Sequence, residues 1–280
     1  MPQDVSQDIA ALREWLAKES YLPQDFDDLM LKKFLHSCYG SLEKAKRCIE
    51  KFSLGRARLI EVYSDRDPRY PALQTAMSIT KVVTYLTEED EVLIHRLDDP
   101  ELEKFVFYDV LKTFILQGEH WLRKIPNYPR GHIIVLDVKC YTLKIVPKCN
   151  ILFFRDFIVF LLEAMPVRIT HIHLVNCPSF IDKLYALVKS ALPLAIRNIV
   201  QFHTDAEGLH QYIDKKYLPK EYGGDAESMA DQQNKWVKAM EEQRDWFINE
   251  DNWKVDMIKK PKDCAVQNTM NGSFRTLSID

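Results

Sequence analysis

One unbroken apolar segment, Ile133-Ile134-Val135-Leu136-Asp137-Val138, limits what this chain can become. Its apolar residues follow one another without polar alternation, so the segment has no face to offer water. A strand of that kind is buried on both sides, as in a parallel sheet covered by helices. The neighbouring segments supply the rest of such a sheet. Arg168 to Val175 reads as a second strand and Ile199 to His203 as a third. Between them, Pro147 opens a helix that Pro166 ends, and Phe180 to Leu192 forms another. Strand–helix–strand–helix–strand is the pattern of a mainly parallel sheet.

Upstream, Lys81 to Tyr85 and Glu91 to Arg96 read as short strands around a polar Thr87-Glu88-Glu89-Asp90 turn, and Pro100 to Lys124 as a helix. The N-terminal region is helical. Ile9, Leu12, Trp15 and Leu16 recur at helical spacing, as do Leu29, Leu31, Phe34 and Leu35, with Pro23 between the two sets. Ser41 is a plausible N-cap for a third helix through Ala45, Cys48, Ile49 and Phe52. Pro68 and Pro71 then break the pattern. Gly223-Gly224 closes the sheet region, a helix covers Ser228 to Asn249, and periodicity fades from Asp256. The expected organisation is a helical lobe over 1–75, an α/β lobe over 76–225, a C-terminal helix over 226–255 and an irregular tail over 256–280.

Bulk properties exclude several classes. Lys and Arg total 38 against 41 Asp and Glu, a net charge of −3 and not the polycation of a nucleic-acid binder. The most apolar stretch, Ile151 to Met165, is interrupted by Arg155, Asp156 and Glu163 and falls short of the ~20 residues of a membrane span. The first residues carry Asp4 and Asp8 with no basic flank or apolar run, so no signal peptide is expected, and Pro2 excludes a myristoylation signal. Cys38, Cys48, Cys140, Cys149, Cys177 and Cys264 form no CxxC pair and no metal spacing. Scattered thiols fit a reducing cytoplasm, where they are expected to be buried, unreactive packing residues.

Catalytic signatures are missing. No GxGxxG follows a strand, and GxxxxGK[ST], GxSxG and HExxH do not occur. His171 and His173 share one strand face, a spacing that could hold a metal, but no third ligand lies close by. Ordinary sheet histidines are the simpler reading. Asp137 ends its strand where open α/β sheets bring groups to ligands, yet a lone carboxylate there is more often a turn residue. No catalytic residue, metal ligand or cofactor is expected, and the weight moves to binding.

The apolar helices carry the information. The helix after Pro147 presents Ile151, Leu152, Phe153, Phe154, Phe157, Ile158, Phe160, Leu161, Leu162 and Met165, apolar around most of its girth. A surface helix needs a stripe only about 100° wide. This one touches apolar matter on several sides, either as a core helix or with one flank on a cavity. From Phe180, a single stripe of Ile181, Leu184, Leu187, Val188, Ala191 and Leu192 faces Asp182, Lys183 and Lys189, with Pro178 and Pro193 at its ends. By itself that is a sheet-covering helix.

Four segments, in order, resemble the CRAL-TRIO (Sec14-like) lipid-binding family, in its α-tocopherol transfer and cellular retinaldehyde-binding branch as found in insects. They are Leu31-Lys32-Lys33-Phe34-Leu35 with Ser41-Leu42-Glu43-Lys44-Ala45; Gly131 through Asp137; Pro166 through Pro178; and Leu218-Pro219-Lys220-Glu221-Tyr222-Gly223-Gly224. The resemblance implies an N-terminal helical bundle and a sheet whose covering helices enclose an apolar pocket. It turns the Phe180 helix into a gate that opens at membranes. It places Phe107, Val110, Leu111, Phe114, Phe157, Phe160, Leu161, Met165, Ile169 and Ile172 near the pocket, with Leu184, Leu187, Val188 and Leu192 on the gate's inner face.

The departures narrow the cargo. Val167 and Ile199 stand where phosphatidylinositol-transferring members carry Glu and Lys, which disfavours that lipid. Ala195 and Ile199 interrupt the branch's basic cluster, of which Arg168 and Lys189 persist, with Arg197 close by. Val110 and Phe114 replace two serines near the tocopherol hydroxyl. The resemblance therefore implies a monomeric cytoplasmic carrier of one small hydrophobic lipid of retinoid, tocopherol, carotenoid or terpenoid class. Arg168, Lys183, Lys189 and Arg197 would meet a transient, anionic membrane surface. The alternative is a lipid-sensing regulatory module that docks on a protein partner.

Overall fold

A computed structural model describes residues 5–190 and 192–260. The expected tail beyond 260 and Ala191 in the gate stripe lie outside the described residues. The helical lobe comprises α1 (Ser6–Lys18), α2 (Asp28–Ser37), α3 (Leu42–Arg58), the single turn α4 (Ile60–Tyr63) and α5 (Pro71–Ile79). Side chains start two of these helices. Asp27 accepts from Met30 N, and Ser41 accepts from Lys44 N as its position suggested. Phenylalanines hold the lobe together: Phe26 on Phe34, then Phe34 on Phe52 at 5.5 Å between ring centroids.

Strands β1 (Thr80–Leu86), β2 (Glu91–Leu97), β3 (His132–Asp137), β4 (Ile169–Val175) and β5 (Val200–Phe202) form one sheet in sequence order. The β1–β2 hairpin is antiparallel and all other pairs are parallel. Helices α6 (Phe107–Lys124), α7 (Ile151–Glu163), α8 (Ile181–Lys189) and the turn α9 (Leu194–Arg197) connect the strands; α10 (Met229–Glu242) and α11 (Arg244–Ile248) follow. This is an α/β fold with a mainly parallel sheet.

Element boundaries depart most from the sequence reading in four places. The α6 helix starts at Phe107 rather than Pro100, after a turn in which Leu102 has φ 57°. Pro147 sits in a 3-10 turn, Leu143–Lys148, and Asn150 starts α7 instead by accepting from Phe153 N at 3.1 Å. Helix α8 stops at Lys189, short of Leu192. The C-terminal helix is two helices broken at Gln243.

Register decides which residues face which side. Val83, Tyr85, Val92, Ile94, Ile133, Val135 and Val175 pack on one face beneath Leu209, Ile213, Leu218, Tyr222 and Met229. Between His132 and Ile133 the β3–β4 register shifts, leaving Thr170 unpaired as a bulge. A Cβ on Gly131 would run into Thr170, so the bulge requires glycine there. Asp137 locks the sheet's end. It accepts from Tyr222 Oη at 2.8 Å, Asn176 Nδ2 at 3.0 Å and Lys139 N at 3.1 Å. Its role is structural: it ties the closing Tyr222-Gly223-Gly224 segment to two strand ends.

The lobes share one apolar core running from Leu12 through Phe52 and Phe160 to Phe107, Met240 and Trp253. The irregular stretch 64–70 carries Arg66 and Asp67 into that core, 2% and 5% exposed. Arg56 and Arg66 both pair with Glu119 of α6, all three buried. The described cysteines are half-buried rather than fully buried, and a hydrogen bond from Cys48 lowers the Cys38 thiol to about 7.

Candidate ligand cavity

The central strand gives the first sign of a cavity. On β3, Ile133 and Val135 are buried on the back face, whereas Ile134 and Leu136 on the opposite face are only partly buried. The strand read as buried on both sides faces open volume on one. That volume is about 380 Å³, bounded by the sheet and by α6, α7 and α8. It falls at the small end of the ~300–1,000 Å³ usual for ligand pockets.

Thirteen of the fourteen residues expected at the pocket border it. Phe107, Val110, Leu111 and Phe114 come from α6, Phe157 and Leu161 from α7, and Met165 follows that helix. Ile169 and Ile172 come from β4, Leu184, Leu187 and Val188 from α8, with Leu192 beyond it. Strict alternation would put Ile169 and Ile172 on opposite faces; the Thr170 bulge brings both to the cavity. Phe160 is the exception. It turns away to stack on Phe52 at 5.9 Å and meets Tyr63 at 6.1 Å, so it joins the lobes instead of lining the cavity. The all-round apolarity of α7 thus has two causes, a cavity flank and a lobe interface.

No residue of α8 is fully buried, and Leu187 is 42% exposed while bordering the cavity. Of the four basic residues, Arg168 lies at the helical lobe. Its guanidinium is 3.9 Å from the Tyr39 ring, and Nε donates to Ser37 O at 3.3 Å. Lys183 and Lys189 are exposed on α8, and Arg197 Nε donates to Leu192 O at 2.9 Å. Arg168 therefore does not extend the cation set of α8.

The cavity floor also carries polar groups that were not anticipated: Glu91 and His95 point inward from β2, beside Thr84 of β1 and His132 of β3. Nothing in an unaligned sequence says which face of these strands is which. Glu91 is 2% exposed; burial raises its pKa, and Asn127 Nδ2, donating at 3.0 Å, opposes this. His132 Nε2 lies 3.6 Å from Glu91, and Nδ1 accepts from Arg168 N at 3.1 Å. Lys33 seals this end, its Nζ 3.1 Å from the Trp121 ring and donating to Trp121 O at 2.8 Å. Burial lowers Lys33 to about 7 despite attraction to Glu91. At the other end, burial pushes His95 down to about 4 against the pull of Asp137.

On the sheet's back face, His171 and His173 stack, and His173 Nδ1 lies 3.0 Å from His203 Nε2. Among the described residues no group of three or more His, Cys, Asp or Glu side chains could hold a metal, and no helix is long and apolar enough to cross a membrane.

A sheet-floored apolar chamber roofed by helices, joined to an N-terminal helical lobe, defines a Sec14-like lipid-binding fold. The chain belongs to the CRAL-TRIO family: residues 87–224 match the CRAL/TRIO domain, and residues 1–73 match the Pinta-like UBA domain. It is 27% identical over 225 residues to the mouse "Alpha-tocopherol transfer protein-like", covering 78% of this chain and 65% of that protein. It is 28% identical over 122 residues to human "Clavesin-2", covering 43% of this chain and 37% of that protein. The chain thus spans just under two thirds of the length of the tocopherol-transfer-like relatives. Among solved structures, "Crystal structure of Sfh5" superposes with a TM-score of 0.54 at 16% identity, covering 83% of this chain and 92% of that one. The family is one of lipid-binding and lipid-transfer proteins.

Proposed function

We propose that this protein carries one small, largely apolar lipid in the cytoplasm, as a monomer, and releases it at membranes through movement of α8. The observation that supports this reading best is the cavity itself, lined mainly by apolar side chains from the sheet, α6, α7 and α8. Burying about 400 Å² of ligand at roughly 25 cal/mol/Å² contributes on the order of 10 kcal/mol gross. Association and ordering remove several kcal/mol of it. Escape into water is then slow, so release needs a lipid environment. At a bilayer, the apolar stripe of α8 exchanges cavity contacts for lipid contacts without exposure to water. Lys183, Lys189 and Arg197 would favour an anionic surface, each by about 1 kcal/mol when close to it.

Organic extraction of purified protein followed by mass spectrometry tests the reading. A single co-purifying apolar lipid, transferable to vesicles, is expected. Leu187→Asp should slow loading or transfer at least tenfold while leaving the fold intact. No lipid on extraction and no binding to retinoids, tocopherols, carotenoids or terpenoids would overturn it.

A further inference from the structure

The turn between α2 and α3 brings two thiols together. Tyr39 and Gly40 take positive φ, 55° and 75°, and Gly40 N donates to Leu35 O at 2.8 Å, so the chain doubles back directly after α2. Phe34 of α2 and Phe52 of α3 then meet at 5.5 Å between ring centroids. Cys38 stands four residues after Phe34, and Cys48 four before Phe52. Each is one helical turn nearer the hairpin on the same faces, so the register that pairs the rings also pairs the thiols. The Cys48 thiol donates to the Cys38 sulfur. It has a second acceptor in Ala164 O, 3.4 Å away at the end of α7. Both cysteines are half-buried.

The surroundings make Cys38 the reactive member. Ser37 Oγ lies 3.9 Å from its sulfur. Arg168 sits beside it, with its guanidinium 3.9 Å from the Tyr39 ring and its Nε donating to Ser37 O at 3.3 Å. The hydrogen bond from Cys48 lowers the Cys38 thiol to about 7, and Ser37, Lys44 and Arg168 act in the same direction against burial. Such a thiol is thiolate in substantial part at neutral pH. The opposite holds at Cys140, Cys149 and Cys177, where burial raises each thiol, Cys149 to about 11. A partly exposed thiolate among cations, with a second thiol in contact, is the arrangement of a redox-sensitive pair and not of inert packing residues.

We infer that Cys38 and Cys48 form a reversible disulfide when the protein meets a hydroperoxide. The Cys38 thiolate attacks one oxygen of hydrogen peroxide. The O–O bond breaks, and the departing hydroxide takes up the proton that Cys38 gave to solvent and becomes water. Cys38 is left as a sulfenic acid. The Cys48 sulfur then attacks the Cys38 sulfur. The S–S bond forms, the S–O bond breaks, and hydroxide leaves as water with the Cys48 proton. The two sulfurs lose two electrons to the peroxide, so two thiols and one peroxide give one disulfide and two waters. A dithiol reductant reverses the bond by exchange. Oxidation also removes the Cys48 hydrogen from Ala164 O. Ala164 caps α7 and precedes Met165, which borders the cavity, so the helical lobe loses a tie to the end of that helix. None of this depends on the carrier reading.

The test treats reduced full chain with equimolar hydrogen peroxide, blocks free thiols with iodoacetamide and digests with trypsin without reductant. A disulfide joining peptides 34–44 and 48–51 is expected, and dithiothreitol should remove it. In Cys48→Ser, which keeps a donor beside Cys38, dimedone should trap a sulfenic acid on Cys38. In Cys38→Ser neither product should form. Before oxidation, iodoacetamide should label Cys38 at least about tenfold faster than Cys149. Amide exchange in the last turn of α7 should quicken by about threefold on oxidation and return with reductant. Equal labelling of Cys38 and Cys149, a disulfide to another cysteine in place of this one, or a trapped sulfenic acid in the wild type with no disulfide would overturn the inference. A disulfide that leaves exchange in α7 unchanged would overturn the link to Ala164. Each outcome leaves the lipid reading untouched.

Discussion

Phe160 of α7 lies where a side chain on Gly55 of α3 would have to be. A Cβ at Gly55 would fall inside the van der Waals envelope of the Phe160 ring, which Phe52 and Tyr63 hold in place. The helical lobe and the α/β lobe meet there with no room to spare. In a free helix, Gly→Ala stabilises by about 1 kcal/mol. Here Gly55→Ala is expected to destabilise by about 1–3 kcal/mol, because the ring cannot withdraw. Urea denaturation measures it, and Phe160→Leu in the same chain should restore part of the loss. A stabilised Gly55→Ala would contradict the packing described.

Glu119 is the counter-charge for two buried guanidinium groups. Arg56 Nη1 is 3.5 Å from it, and Arg66 bonds its other oxygen. Glu119→Gln keeps the shape but leaves two buried cations with no anion. A loss of about 3–5 kcal/mol is expected. Arg56→Met together with Glu119→Gln should cost less than Glu119→Gln alone, a sign that the charge and not the volume matters.

Acid should destabilise the protein through its buried imidazoles. Burial lowers His95, His132 and His173 to about 4. In the unfolded chain each takes up a proton near 6.5. Between those values the unfolded state binds more protons, so stability rises with pH across that window and is lost as pH falls from about 6.5 to 4. Each histidine contributes on the order of 1–3 kcal/mol to the drop. Thermal melts at pH 7, 5.5 and 4.5 follow it, and His173→Phe should make the dependence shallower.

Filling the cavity should separate stability from loading. Ile134 faces the chamber from the middle of β3. Ile134→Phe adds volume where the wild type has space, so the empty protein should be unchanged or stabilised by up to about 1 kcal/mol. Uptake of any lipid should fall at least tenfold in a vesicle-to-protein transfer assay. A destabilised variant that still loads would mean that the volume is not the binding site.

The sequence displays the sheet and most of the cavity wall. Period and breakers reveal β3, β4 and α8, and the family resemblance assigns Leu111, Phe157 and Leu184 to the pocket. What it hides follows from geometry that no pattern encodes. Ile169 and Ile172 share a face only because Thr170 bulges, and Phe160 leaves the pocket only because Gly55 makes room elsewhere. The Pro147 start failed because Asn150 caps the helix, a signal present in the sequence but overshadowed by the proline. His95 stayed invisible, since a lone histidine in a strand says nothing about which side it faces.

The half-buried state of Ile134 and Leu136 has a consequence for the protein's life in a cell. An ordinary domain completes its core when it folds; this one folds with a gap on its central strand. On the carrier reading, cargo supplies the missing core atoms, and a ligand that binds only the folded state stabilises by RT ln(1 + [L]/Kd), about 2.7 kcal/mol at a hundredfold excess over Kd. An empty chain then samples open forms more often and meets proteases sooner. The amount of this protein in a cell would track the supply of its lipid, with no dedicated sensor required.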